Sequence, residues 1–268
     1  DRVFGAHRSH SHILSLSPSV HKLFAEVLGK NTGFSKGMGG SMHLIDMEAG
    51  FYGSVPIVSG TVPLAVGAAF EARRSLTNNV GVAFIGDGAV EEGIVQESLN
   101  LASVLNSPTL FVVENNLFAS HMNISLRQPS LTTTRFAEAN HIDNAIVDGN
   151  NILEVYEASK TLLIKSRQKG CPGFIEGITF RHYGHVDWRK DIDVGVDRSQ
   201  DDIEQWLKRD PIRRLYLGLK EASIVNKKDF DDLAVKIEED IKKSWQKAVD
   251  DPYPNSDALL NRVYSNED

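Results

Sequence analysis

The run Val80-Gly-Val-Ala-Phe-Ile85 leads into Gly86-Asp87-Gly88, and the run Thr109-Leu-Phe-Val-Val113 leads into Glu114-Asn115-Asn116. Between them, Ala89 to Asn106 carries Ile94, Val95, Leu99, Leu101, Ala102 and Leu105 at helical spacing. The order is strand, acidic turn, helix, strand, amide turn. In a parallel sheet both turns fall at the carboxyl ends of adjacent strands, where open α/β sheets bind ligands. Asp87 and Asn116 would meet there and offer hard oxygen atoms. Such a pair suits Mg²⁺, which takes few protein groups and completes its shell with phosphate oxygens. Gly86 and Gly88 flank the acid and let the backbone approach a bulky anion closely. Either turn alone is ordinary loop chemistry; their pairing after two strands carries the reading.

The 268 residues fit one large domain or two small ones and can bury a substantial core. A hydrophobic content of 41% and a charged content of 24% are those of a globular protein. The net charge of -7 argues against nonspecific nucleic-acid binding. The single cysteine, Cys171, excludes an internal disulfide framework and a cysteine metal cluster. It fits a reducing compartment, with the cytoplasm expected and the mitochondrial matrix as the alternative. No apolar run is long enough to span a bilayer, and no signal peptide is visible. The chain opens at Asp1 in what reads as mid-fold sequence, so further residues are expected before it.

Asp1 to Ser17, with His7, Arg8, His10 and His12, fits neither period and reads as a loop. Pro18-Ser19 opens an amphipathic helix that Gly29 stops. Asn31 to Gly53 is too rich in glycine for a helix or central strand, so it is floppy or shaped around something. A helix is expected from Val62, with Pro63 in its first turn and small residues for close packing. Glu91 and Glu92 read as dipole partners of the helix after Asp87. Leu117 to Thr134 is polar and irregular, a segment able to cover a site. A short helix (135 to 141), a strand (144 to 147), a helix (152 to 169) and a strand (174 to 180) follow. Arg181-His182-Tyr183-Gly184-His185 then stands at a strand end. A lone histidine there is usually structural; two beside an arginine, at the edge that carries Asp87 and Asn116, favour phosphate contact or acid–base work. Ser199 and Asp202 read as a capping box for the helix of Trp206. A helix from Asp210-Pro211 and a long amphipathic one from Phe230 to Val249 precede an irregular tail. The class is therefore α/β, a largely parallel sheet flanked by helices, with a helical C-terminal extension. The expected division is a ligand-binding α/β domain over 1–198 and a helical extension over 199–268 packed on it.

Gly86-Asp87-Gly88 with Asn115-Asn116 resembles the thiamine diphosphate fingerprint. Further matches are Lys36-Gly-Met-Gly-Gly-Ser-Met-His43, Phe51-Tyr52-Gly53, Val62-Pro63-Leu64 and the Arg181 to His185 turn. From Phe4 to about Tyr253 the chain resembles the alpha subunit of the thiamine diphosphate-dependent first component of 2-oxo acid dehydrogenases, of the pyruvate, branched-chain and acetoin types. The resemblance implies the diphosphate-binding form of the thiamine diphosphate fold. It implies Mg²⁺ held by Asp87, Asn116 and the carbonyl of Phe118. Gly86, Gly88 and Ala89 would meet the diphosphate, with Arg8 also on it and His7 where many members have tyrosine. Pro56 and Val58 would meet the aminopyrimidine. His185 would reach the diphosphate and the reacting centre and handle a proton; His10 and His43 would lie near the entrance, His10 with a catalytic part.

The glutamate that activates the cofactor belongs in this family to a separate beta chain. The resemblance thus implies an obligate beta subunit, two alpha with two beta chains, and a lipoyl-bearing acyltransferase that accepts the acyl group. No nucleic-acid or membrane partner is expected. After His185 the family usually continues with serines or threonines, whereas here Val186-Asp187-Trp188-Arg189-Lys190-Asp191 follows. No Ser or Thr lies between Val186 and Arg198, so phosphorylation of that loop is not expected. The alternative is a two-chain, non-oxidative thiamine diphosphate carboligase or acyl or ketol transferase of a specialised pathway.

Overall fold

The computed structural model describes residues 1–186 and 200–259. Its elements, in chain order, are β1 (Arg2–Phe4), α1 (His10–Leu16), α2 (Val20–Val27), β2 (Phe51–Gly53), α3 (Val62–Arg74), β3 (Gly81–Gly86), α4 (Gly93–Val104), β4 (Thr109–Asn115), β5 (Phe118–Ala119), β6 (Met122–Asn123), α5 (Thr134–Ala139), β7 (Asp143–Asp148), α6 (Ile152–Lys169), β8 (Gly173–Ile178), α7 (Gln200–Lys208), α8 (Pro211–Glu221) and α9 (Lys227–Asp250). They form two compact units. One comprises Asp1–Ala6 and Ile57–Lys227, the other His7–Pro56 and Lys228–Asp268.

In the first unit, parallel strands lie in the order β1-β3-β4-β8-β7. Val82, Ala83, Ile85, Leu110, Phe111, Val113, Phe174 and Ile175 are buried. Strands covered on both faces read as continuous apolar runs rather than alternating ones, as β3 and β4 do. Helix α3 lies very close to β3. A Cβ on Gly81 would stand 2.2 Å from the carbonyl oxygen of Ala65, so glycine is required there and the small residues of α3 serve packing. Helix α6 ends on Gly170 in the left-handed conformation at φ 68°. Asp148, at the end of β7, accepts from Arg214 of α8 at 2.6 Å and pairs with Arg209 at 3.0 Å, tying the helices after β8 to the sheet.

The first seventeen residues are not a loop. Arg2, Val3 and Phe4 pair with Gly81, Val82 and Ala83 as a three-residue strand, too short to display a period. His10–Leu16 is helical with only Ile13 buried, so its apolar stripe is one residue wide. The helix expected from Ala89 is broken: Ala89–Glu91 is a 3₁₀ turn, Glu92 is extended at ψ 137°, and α4 starts at Gly93. Leu117 to Thr134 holds the small hairpin β5–β6 and a 3₁₀ turn over Ile124–Leu126. The strand expected to reach Phe180 ends at Ile178. The tail contains a 3₁₀ turn over Ser256–Leu259. The loop expected from Val186 to Arg198 and the cap at Ser199 lie outside the described residues, apart from Val186.

In the second unit the glycine-rich stretch is wrapped around one acid. Glu26 of α2 is fully buried. Its carboxylate accepts the amides of Ser35 at 2.6 Å and Gly37 at 3.0 Å on one oxygen, and those of Gly39 at 2.7 Å and Gly40 at 3.1 Å on the other. A Cβ on Gly33 would stand 2.4 Å from the same carboxylate. Phe24 meets Trp245 of α9 edge-on, and Lys30 donates to the carbonyls of Val249 and Asp251, both at 2.8 Å, so α9 closes on α2. Glu26→Gln keeps the shape but turns an NH₂ group toward N–H donors. The expected loss is about 3 kcal/mol, read as a lower denaturation midpoint with faster proteolysis between Asn31 and Gly53. An unchanged midpoint would show that the loop does not depend on the carboxylate.

Candidate active site

The register pairs Gly86 with Glu114 and Asn115 with Ile178, so the turns after β3, β4 and β8 open along one carboxyl edge. Asp87 stands at the centre of that edge and is 1% exposed. The backbone amide of Asn116 donates to its carboxylate, which brings the acidic and amide turns together as expected. Arg127, from the segment after β6, pairs with both Asp87 and Glu91. Burial pushes the Asp87 carboxyl above the usual aspartate range, and the Arg127 guanidinium only partly offsets it.

The two asparagines do different work. Asn116 Oδ1 accepts the amide of Phe118 at 3.1 Å, which fixes its side chain against the backbone of β5. Asn115 turns inward. Its Nδ2 donates to Glu176 at 2.7 Å and to the carbonyl of Leu131 at 3.0 Å, and its Oδ1 accepts the amide of Leu117 at 3.0 Å. Glu176 of β8 is fully buried and also accepts the amides of Thr133 at 2.8 Å and Thr134 at 3.2 Å. One buried acid thus joins β4, β8 and the start of α5. Sequence reading missed Glu176; a single carboxylate in the apolar run Gly173-Phe-Ile-Glu-Gly-Ile178 was its one signal.

Gly88 is held by the hairpin below it. A Cβ there would stand 2.5 Å from the side chain of Ala119. The carbonyl of Ala89 accepts the hydroxyl of Ser59 at 2.7 Å, which joins the residue after Val58 to the edge; Val58 itself is exposed. The element after Gly88 is a 3₁₀ turn, so Gly88 and Ala89 do not stand at the N-terminus of a long helix. Glu91 is no dipole partner of α4: it precedes that helix and turns to Arg127.

His185 lies beside the β5–β6 turn. Its Nε2 is 3.2 Å from the hydroxyl of Ser120, and its ring is 6.2 Å from that of His121. Arg181 donates to the carbonyl of Ser120 at 3.1 Å. Sequence reading singled out neither Ser120 nor His121 within the polar stretch from Leu117 to Thr134. In the second unit, Arg8 Nε donates to His7 Nε2 at 3.2 Å. Burial, and then the Arg8 charge, lower the pKa of His7. His10 Nε2 is 2.7 Å from the hydroxyl of Ser41 and 3.2 Å from its carbonyl, and His43 Nδ1 is 3.3 Å from the carbonyl of Gly39. Pro56 closes that part of the second unit.

A parallel sheet with a buried aspartate, an amide turn and a histidine turn along one carboxyl edge places these groups where open α/β sheets bind ligands. A family model for the dehydrogenase E1 component matches residues 1–257. The alpha subunit of acetoin:2,6-dichlorophenolindophenol oxidoreductase from Bacillus subtilis is 35% identical over 265 residues, covering 98% of this chain and 78% of that protein. The alpha subunit of the pyruvate dehydrogenase E1 component from Rickettsia bellii is 30% identical over 264 residues, covering 98% and 80%. The alpha subunit of the acetoin enzyme of Cupriavidus necator is 30% identical over 265 residues, covering 98% and 78%. The chain belongs to the dehydrogenase E1 component family, the thiamine diphosphate-dependent first components of 2-oxo acid dehydrogenases, as an alpha-type chain.

The raised Asp87 pKa has a measurable consequence. The folded chain holds this proton at a pH where the unfolded chain releases it. The contribution to stability is therefore present in acid and is lost as pH rises from the ordinary aspartate value through the raised one. Asp87→Asn removes that slope. Denaturation of the cofactor-free chain should show the variant gaining on wild type as pH rises through this window and levelling off above it. A difference independent of pH would contradict the assignment.

Proposed function

We propose that the Asp87 edge binds thiamine diphosphate through Mg²⁺ and that this chain works as the alpha subunit of an enzyme that oxidatively decarboxylates a 2-oxo acid. The observation that carries the reading is the meeting of buried Asp87 with the Asn116 turn at the ends of adjacent parallel strands. The donor set fits the metal: one carboxylate, the Asn116 side-chain oxygen and the Phe118 carbonyl are hard oxygens, few in number, as Mg²⁺ prefers when phosphates complete its shell. Gly86 has open space where a side chain would stand and leaves the backbone bare for a diphosphate, whereas the space at Gly88 is taken by Ala119. The family and its cofactor support the same reading.

When bound, thiamine diphosphate supplies the electron sink for loss of carbon dioxide from the substrate. The protein's part is to hold and orient. Asp87, Asn116 and Phe118 take the metal. Arg8 adds positive charge for the diphosphate, and His7 and Ala89 border it. Pro56 and Val58 meet the aminopyrimidine. His185 carries a proton at Nε2, within reach of Ser120. His10 serves at the entrance, held by Ser41. Residues 1–198 are read as the cofactor-binding part and 199–268 as its helical extension.

The relatives' names as alpha subunits support a beta-subunit partner. Two alpha with two beta chains, acyl transfer to a lipoyl-bearing acyltransferase and residence in the cytoplasm complete the proposal. Among the described residues no helix is long and apolar enough to cross a membrane.

The test uses the chain assembled with its beta subunit, thiamine diphosphate and Mg²⁺. A panel of 2-oxo acids is offered, and carbon dioxide release and reduction of an artificial electron acceptor are followed together. Release coupled to reduction is expected. Release without reduction would move the enzyme to non-oxidative carbon–carbon bond formation, the alternative raised by the sequence after His185. His185→Ala should leave cofactor affinity within about threefold while lowering kcat by about 100-fold or more. Unchanged turnover would leave His185 a structural residue.

A further inference from the structure

Arg127 is the least expected group at the Asp87 edge. Its side chain is 8% exposed. One terminal nitrogen, Nη2, is bonded to Asp87 and the other, Nη1, to Glu91, while Nε donates to the carbonyl of Met122 at 3.2 Å. The planar fork is therefore spread across two acids on the turn after β3 and pinned from behind by β6. Nη1 also lies 3.8 Å from where a Gly88 Cβ would stand, so the guanidinium adjoins the backbone that borders the ligand edge.

The arrangement has an electrostatic reason. Asp87 and Glu91 are separated by one turn of chain, and Asp87 is removed from water. Two carboxylates brought this close, one of them desolvated, need a cation between them. Arginine suits the role because its charge is permanent and its fork spans two acceptors. The guanidinium thus sits on Oδ2 of the carboxylate that is read as the metal ligand.

We propose that Arg127 is an internal counter-cation that competes with the divalent metal for Asp87. This rests on the reading of Asp87 as a metal ligand. With no metal bound, Arg127 holds Asp87 and Glu91 together and keeps the acid in place. A metal arriving alone must displace Nη2 from Asp87, which leaves the guanidinium with Glu91 as its one acid and sets two further positive charges beside it in a buried site. A metal arriving with a diphosphate brings negative charge that compensates the displaced guanidinium, while Nη1 and Nε keep their bonds to Glu91 and Met122. Arg127 thereby couples the two ligands: each binds poorly alone and well with the other. The reciprocity is thermodynamic, since whatever the diphosphate does for the metal the metal does for the diphosphate.

The test measures Mn²⁺ binding to the cofactor-free alpha–beta complex by electron paramagnetic resonance, alone and with thiamine diphosphate. Arg127→Gln removes the charge and keeps a hydrogen-bonding amide. It should bind Mn²⁺ alone on the order of tenfold tighter than wild type, a usual size for site coupling, and the gain in Mn²⁺ affinity on adding thiamine diphosphate should shrink by a similar factor. Mn²⁺ binding alone that is no tighter in the variant would overturn the proposal. If Arg127→Gln fails to assemble, Arg127→Lys decides: its point charge reaches one acid at a time, so tighter binding of Mn²⁺ alone supports competition and equal or weaker binding refutes it. Asp87→Asn separates the two readings. Retained Mn²⁺ binding in that variant would remove Asp87 as the ligand, whereas lost binding there with an unaffected Arg127→Gln would remove only the competition.

Discussion

A carboxylate taken out of water needs a cation or a set of N–H donors, and the site is organised around that need at Asp87. The residue is buried because β3 and β4 lie side by side and their turns close on each other. The Asn116 amide and the Arg127 guanidinium offset part of the cost of desolvation, and the carboxyl still sits above its ordinary range. A group held at such a disadvantage is suited to receiving a stronger cation. The stabilisation the fold withholds from Asp87 is available to a ligand.

The same physics, resolved without a ligand, shapes the rest of the chain. Glu26 gathers four loop amides and turns a glycine-rich stretch into a fixed surface. Glu176 takes the Asn115 side chain and the amides of Thr133 and Thr134, which fixes the turn that carries Asn116. These two acids position backbone, whereas Asp87 is paired with the side chain of Arg127. The difference is the kind of donor each finds. Backbone amides satisfy a carboxylate permanently, whereas a side-chain guanidinium can be exchanged.

The strands, the turns after them and the order of the helices were legible because each is encoded within a short window. Val80 to Ile85 and Thr109 to Val113 are mainly apolar runs, the first ended by Gly86-Asp87-Gly88 and the second set between Pro108 and Glu114-Asn115-Asn116. The Asp87 and Asn116 pairing followed from topology alone. What escaped reading depends on partners distant in sequence. Strand β1 exists because β3 is beside it, and its three residues carry no pattern. Glu26 and Glu176 look like ordinary acids until their amide partners are known. Arg127 sat in a stretch readable only as polar, and Glu91 looked like a helix-dipole residue because the break at Glu92 has no glycine or proline at that residue to announce it. The resemblance to alpha subunits reached the family, and the match over residues 1–257 bears that out.

The most direct measurement is anomalous X-ray diffraction from crystals of the alpha–beta complex grown with thiamine diphosphate and Mn²⁺. A single strong anomalous peak is predicted within bonding distance of the Asp87 carboxylate, the Asn116 side-chain oxygen and the Phe118 carbonyl, with Arg127 no longer on Asp87. Cofactor density with the metal elsewhere, or with Arg127 still paired to Asp87, would contradict the central claim that this buried carboxylate is kept for a metal.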